Sequence, residues 1–172
     1  MLLLPENQHQ RKYSMFGVLC NIGMAQYALS QYEQAWDYWE RALSLMRNEG
    51  RFNDDLVENI FFVRCMMNHA PHSILEWLQS LCKAYPLESV IYKRMGWCYA
   101  KLQKWSTAIS MMEKAYNLQP DIETLFMLSD WKKKTGTMIA ADHNKWKEIV
   151  EAYQCTCKND EYWMKKIREE VL

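Results

Sequence analysis

Glycine and proline are scarce in this chain. Five and four of them among 172 residues are too few for the crowded turns of an all-β protein or for a glycine-rich phosphate loop. A surplus of one charge is also missing. Twenty-one basic and twenty-one acidic side chains cancel, which argues against a dedicated nucleic-acid binder or a polybasic membrane-surface protein. No apolar run approaches the ~18 residues of a membrane span. The opening Met1-Leu2-Leu3-Leu4-Pro5 is shorter than the ~7–15 residues of a signal-peptide core. The expectation is a soluble, unexported, cytoplasmic chain. No nucleophile motif or paired metal signature is present, so the reading is a non-enzyme with no cofactor.

What the chain does have is apolar and aromatic mass. Apolar residues make up 49% and charged residues 24%, enough for a core and too apolar for disorder. Eight Trp, ten Tyr and twelve Met supply large, adaptable packing surfaces. Four of the six cysteines sit inside helical apolar patterns, where a thiol acts as a small hydrophobe. All six read as reduced. Cys65, His69 and His72 stand within eight residues, with Cys82 as a remote fourth ligand, but a packed thiol beside two loop histidines explains them better. Cys155-Thr156-Cys157 lacks the two-residue spacer of a zinc or redox motif, so no metal site is assigned. The lysines of 132–134, 145, 147, 165 and 166 with Arg168 could form a stripe. Residues 130–172 carry nine basic against eight acidic side chains, so no net field attracts nucleic acid.

Apolar spacing is helical nearly throughout. Leu19, Ile22, Gln26 and Leu29 follow a 3–4 rhythm, as do Trp39, Ala42, Leu43 and Met46, and no stretch alternates as a strand would. Breaks at Ser30-Gln31, Asn48-Glu49-Gly50, His69-Ala70-Pro71-His72, Tyr85-Pro86, Gln103-Lys104, Gln119-Pro120, Thr135-Gly136 and Lys158-Asn159-Asp160 predict helices over 14–29, 32–47, 54–68, 73–85, 88–102, 105–118, 122–134, 138–157 and 160–171. Ser73 with Glu76 reads as a capping box and Asp121 as an N-cap.

The chain also repeats itself. With Gly23 aligned on Gly96, Ala35 meets Ala108 and Ala42 meets Ala115. Tyr32 then meets Trp105, Leu19 meets Tyr92, Ile22 meets Met95, and Leu45 meets Leu118, with Pro120 closing the second copy. Small side chains at these intervals allow two helices of a hairpin to cross closely, and the next hairpin to pack on the second alanine. These residues resemble the tetratricopeptide repeat, a helix–turn–helix unit of ~34 residues. A looser copy runs through Leu125, Leu128, Ser129, Gly136 and Ala141, with Glu148 in place of the second alanine. A divergent unit over 54–86 lacks the glycine and both alanines.

The resemblance implies an all-α fold, a right-handed superhelical solenoid of about four antiparallel hairpins. Its parts would be a flexible or truncated segment 1–13, a repeat domain 14–157 and a capping helix 158–172, with Tyr162, Trp163, Ile167 and Val171 as the covering stripe. It further implies a protein-interaction scaffold that binds a peptide or partner helix in its concave groove. Groove positions carried over are Cys20, Asn21, Met24, Tyr27 and Ala28, then Lys93, Arg94, Trp97 and Lys101. Of these, Asn21, Met24, Tyr27, Lys93, Arg94, Trp97 and Lys101 are the candidate peptide-binding residues. A flat apolar face beside three cations suits a partner with an acidic or C-terminal carboxylate group. The two-carboxylate clamp of the family's co-chaperones is not expected, because Cys20 and Met24 replace its Lys and Asn. The alternative is a fragment or assembly element of a larger repeat protein, a homodimer through the ends of the array, or a small chaperone of secretion substrates.

Overall fold

The structure, a computed structural model, describes residues 14–152 and 158–170. Segment 1–13, Cys155-Thr156-Cys157 and Val171 lie outside these. The described residues form nine helices and no strand: α1 (Met15–Ala28), α2 (Tyr32–Glu49), α3 (Asp54–Met66), α4 (Pro71–Ala84), α5 (Ser89–Lys101), α6 (Trp105–Leu118), α7 (Ile122–Lys134), α8 (Ala140–Ala152) and α9 (Lys158–Glu170). They divide into two compact units at Met67/Asn68, with α1–α3 in the first and α4–α9 in the second.

In the first unit Ser14 opens α1, its hydroxyl accepting the Gly17 N–H at 3.1 Å. α1 and α2 form a hairpin whose alanines, Ala35 and Ala42, are wholly buried. The close approach at Gly23 differs from the expected Gly–Ala crossing. A Cβ on Gly23 would overlap the indole of Trp39, one helical turn beyond Ala35. That ring is fully buried, and its Nε1 donates to the Cys20 carbonyl at 3.3 Å. Gly50, at φ 64°, ends α2. The Asn53 side chain then accepts the Leu56 N–H at 2.8 Å and starts α3, which packs on α2 through an apolar row from Leu56 to Val63.

In the second unit α4 starts two residues before the expected capping box. Pro71 occupies the first turn after Ala70, where its fixed φ suits a helix and its missing N–H costs nothing. Ser73 therefore lies inside the helix and is not its N-cap residue. α5 and α6 cross as the small residues demand: a Cβ on Gly96 would sit 3.1 Å from the Ala108 carbonyl. Asp121 caps α7 as expected, taking the Thr124 N–H at 2.8 Å and the Thr124 hydroxyl at 2.6 Å. Ser129, in the looser glycine position, is buried and donates back to the Leu125 carbonyl at 2.7 Å. The register of α8 departs from the repeat. Among its described side chains Trp146 and Val150 are buried and Glu148 is exposed. On α9, Met164 and Ile167 enter the same core, and the Trp163 ring lies 5.2 Å from Phe126 of α7.

Helices α1, α3, α5 and α7 are each followed by a left-handed residue: Ser30 (φ 60°), Asn68 (55°), Gln103 (58°) and Gly136 (67°). At three of these turns a backbone N–H reaches back five residues, from Gln31 to Gln26, Lys104 to Tyr99 and Thr137 to Lys132, each at 2.9 Å. That bond is the Schellman closure. The divergent stretch 54–86 carries Phe62, Ile74 and Leu81 at the positions ~34 residues before Gly96, Ala108 and Ala115. The boundary between the two units falls inside it.

Candidate functional site

The first unit presents a cleft of about 370 Å³ between α1 and α3. Phe16, Cys20, Asn21 and Met24 line it from α1, and Asp55 and Asn59 from α3. Asn21 is exposed and Met24 is 47% exposed, so the expected amide and thioether both face open space. The carboxamides of Asn21 and Asn59 can each donate and accept, which matches a peptide group. Burial, and secondarily the Asp55 carboxylate, push the Cys20 thiol above its ordinary pKa. Tyr27 is placed differently. Its ring lies 5.5 Å from Tyr32 and 5.8 Å from Trp39, so it packs largely within the hairpin.

In the second unit the expected cations are already answered by the chain itself. Lys93 Nζ lies 3.2 Å from the Glu123 carboxylate and 3.9 Å from that of Asp121. Arg94 is 7% exposed, not displayed as expected, and its guanidinium stands 3.8 Å from Glu123. The reason is geometric: Glu123 lies in the first turn of α7, alongside the stretch of α5 that carries both cations. Trp97 is half-buried with the Lys101 ammonium 4.9 Å over its ring, within cation–π reach. Lys101 itself is exposed.

Sequence reasoning missed Phe16, Asp55 and Asn59 in the first unit and Asp121 and Glu123 in the second. A signal for the latter pair was present. Two carboxylates open the helix that follows, about one repeat later, the helix carrying Lys93 and Arg94. A second charged cluster lies on α6–α8. Lys132 is 2.8 Å from Glu113 and 3.5 Å from Asp142. Burial there opposes its charge, yet the two carboxylates outweigh it and leave the ammonium pKa raised. This cluster ties three helices together. Among the described residues no three metal-ligating side chains converge. No described helix is long and apolar enough to cross a membrane.

No protein-family model matches the chain, and no curated protein matches its sequence. Solved structures do match its fold. MamA from Desulfovibrio magneticus RS-1, a fragment running from residue 41, superposes with a TM-score of 0.58 at 19% identity, over 82% of this chain and 76% of that one. MamA of AMB-1 gives 0.57 at 15% identity over 84% and 80%. The pilF protein of Pseudomonas aeruginosa gives 0.59 at 16% identity over 90% and 66%. MamA and PilF are tetratricopeptide-repeat proteins, and this chain has their all-α helical-repeat fold.

Proposed function

We propose that the chain is a non-catalytic, cytoplasmic scaffold that binds a protein partner through the first helices of its hairpins. The observation that carries this reading is the α1–α3 cleft. It brings an exposed thioether, two carboxamides and an aromatic edge together in one concave space, the combination that holds a side-chain anchor and a peptide backbone at once. In the second unit the matching anchor is Trp97, with Lys101 as its exposed cation. Lys93 and Arg94 then hold α5 to α7 and do not contact the partner directly. A carboxylate on the partner is drawn to Lys101. The occupant is an extended peptide or a short helix with an apolar anchor.

The test is selection of binding peptides from a random displayed library against the full chain, followed by titration of the winners against Met24→Glu and Trp97→Ala. Each variant is expected to weaken its own class of peptides by at least about tenfold, some 1.4 kcal/mol, with far-ultraviolet circular dichroism unchanged. Peptides lost with Met24→Glu are also expected to shield Cys20 from iodoacetamide. Peptides that bind both variants as well as the parent chain would overturn the assignment.

A further inference from the structure

Trp97 and Lys101 stand one helical turn apart on α5, a spacing at which two side chains meet. The Lys101 ammonium lies 4.9 Å from the indole centroid. Lys101 is exposed and Trp97 half-buried, so the ammonium covers the ring from its solvent side. Among the described residues no carboxylate pairs with Lys101, and its contact is the indole.

The other copies fill the same two positions differently. With Gly23, Gly96 and Ser129 in register, the positions hold Met24 and Ala28 on α1 and Asp130 and Lys134 on α7. Ala28 is too short to cover the exposed Met24. On α7 the Lys134 ammonium is taken by the Asp130 carboxylate at 2.7 Å. Of the three helices, α5 is the one that sets an aromatic anchor beneath a lysine with no counter-ion among the described residues.

Resting on the assignment of Trp97 as the anchor of the second unit, we infer that Lys101 is a latch over that ring, opened by a ligand whose apolar group lies beside a carboxylate. The carboxylate draws the ammonium off the indole into an ion pair, and the apolar group takes the face that is vacated. A neutral ligand with the same apolar group must displace the ammonium with no ion pair to replace the contact. An exposed cation–π contact holds such a ligand back by about two- to fivefold. The ion pair made by an acidic ligand offsets that loss, so the two groups bind cooperatively. The site therefore favours an apolar residue that stands next to an acidic one or ends a chain. Lys93 and Arg94 do not act in this way, because Glu123 already faces both.

The probes are N-acetylphenylalanine, its neutral amide, and the α-amide of acetyl-phenylalanyl-glutamic acid, each titrated into the full chain. Binding is read from the Trp97 indole N–H resonance, identified by its loss in Trp97→Phe. At least one acid is expected to bind about threefold or more tightly than the neutral amide. Which of the two does so assigns the carboxylate to a chain end or to a side chain. In Lys101→Ala the neutral amide is expected to gain about two- to fivefold, and the acids to lose their advantage. In Lys101→Glu the order is expected to reverse, whereas a residue needed only for helix stability would shift all three probes alike. Equal affinity of acids and amide for the parent chain, or no gain for the amide in Lys101→Ala, would overturn the latch and leave Trp97 as the anchor. Absence of any saturable shift of the Trp97 signal would overturn latch and anchor together.

Discussion

Gly23 and Gly96 occupy the same place in two hairpins but are constrained by different neighbours. At Gly96 the obstacle to a Cβ is the Ala108 carbonyl, backbone that cannot turn aside. At Gly23 it is the flat face of a buried indole, held by its bond to Cys20. Alanine at either site gains about 1 kcal/mol of helix propensity but overpacks a closed interface, at a cost of roughly 1–3 kcal/mol. Gly23→Ala is expected to be the more destabilising, by about 2 kcal/mol net, and Gly96→Ala to lie nearer 1, both read from urea midpoints. The turns give the opposite sign. Ser30 and Gln103 hold left-handed φ angles that cost a side-chain-bearing residue about 1 kcal/mol or more. Ser30→Gly and Gln103→Gly should therefore each raise stability by about 0.5–1 kcal/mol. The small residues of the crossing were legible in the sequence because their spacing recurs. The role of Trp39 was not, because a glycine shows only that a space exists and not which neighbour fills it.

At the scale of elements, the helix starts at Ser14, Asn53 and Asp121, where a side chain caps the first turn, were read to within a residue. Asp121 is the clearest instance. Removing its carboxylate with Asp121→Ala frees the Thr124 N–H and takes a counter-charge from Lys93. An N-cap loss costs about 0.5–2 kcal/mol, and thermal melting should show a drop of that size. The start of α4 was misplaced because Ser73 and Glu76 satisfy the capping pattern while Pro71 already fixes the first turn. In α8 the repeat was legible only loosely. The large side chains Trp146 and Val150 are buried there, whereas Glu148, in place of the second alanine, is exposed. The last helix follows the same logic. Ile167 is wholly buried in the core shared with α7, so Ile167→Ala should cost about 2–4 kcal/mol by denaturant titration.

For the whole molecule, several resolved pKa shifts share one sign. Burial first, then the bond with Cys82, raises the Tyr92 phenol. Burial raises Cys20 and Tyr116, each with a carboxylate as the second cause. Lys132 is raised by its two carboxylates against the effect of burial. A raised value in the folded state contributes stability that is complete below the ordinary pKa and is lost as the pH climbs through the folded one. The ordinary values are 9.0 for the thiol, 10.0 for the phenols and 10.5 for the ammonium. The melting temperature is therefore expected to fall from pH 9.0 upward, and Tyr92→Phe should blunt the fall by removing one titrating group. The helical class and the repeat were legible at this scale. The partition into two units was not, although the stretch that contains the boundary is the one in which Phe62, Ile74 and Leu81 stand in place of the small residues. That Asn21 and Met24 share one face of α1 was legible from register alone, and both line the α1–α3 cleft. The burial of Arg94 was not, because it depends on a carboxylate one repeat away.

Glu123 also bears on how any acidic ligand would compete at this surface. Its carboxylate already sits at 3.2 Å from one cation and 3.8 Å from another. An incoming anion at Lys93 or Arg94 would evict a tethered one of equal charge, and few mobile ions would be released in the exchange. Affinity there would be nearly flat across an ionic-strength series, whereas an anion seated on the solvent-facing Lys101 would weaken steadily as salt rises.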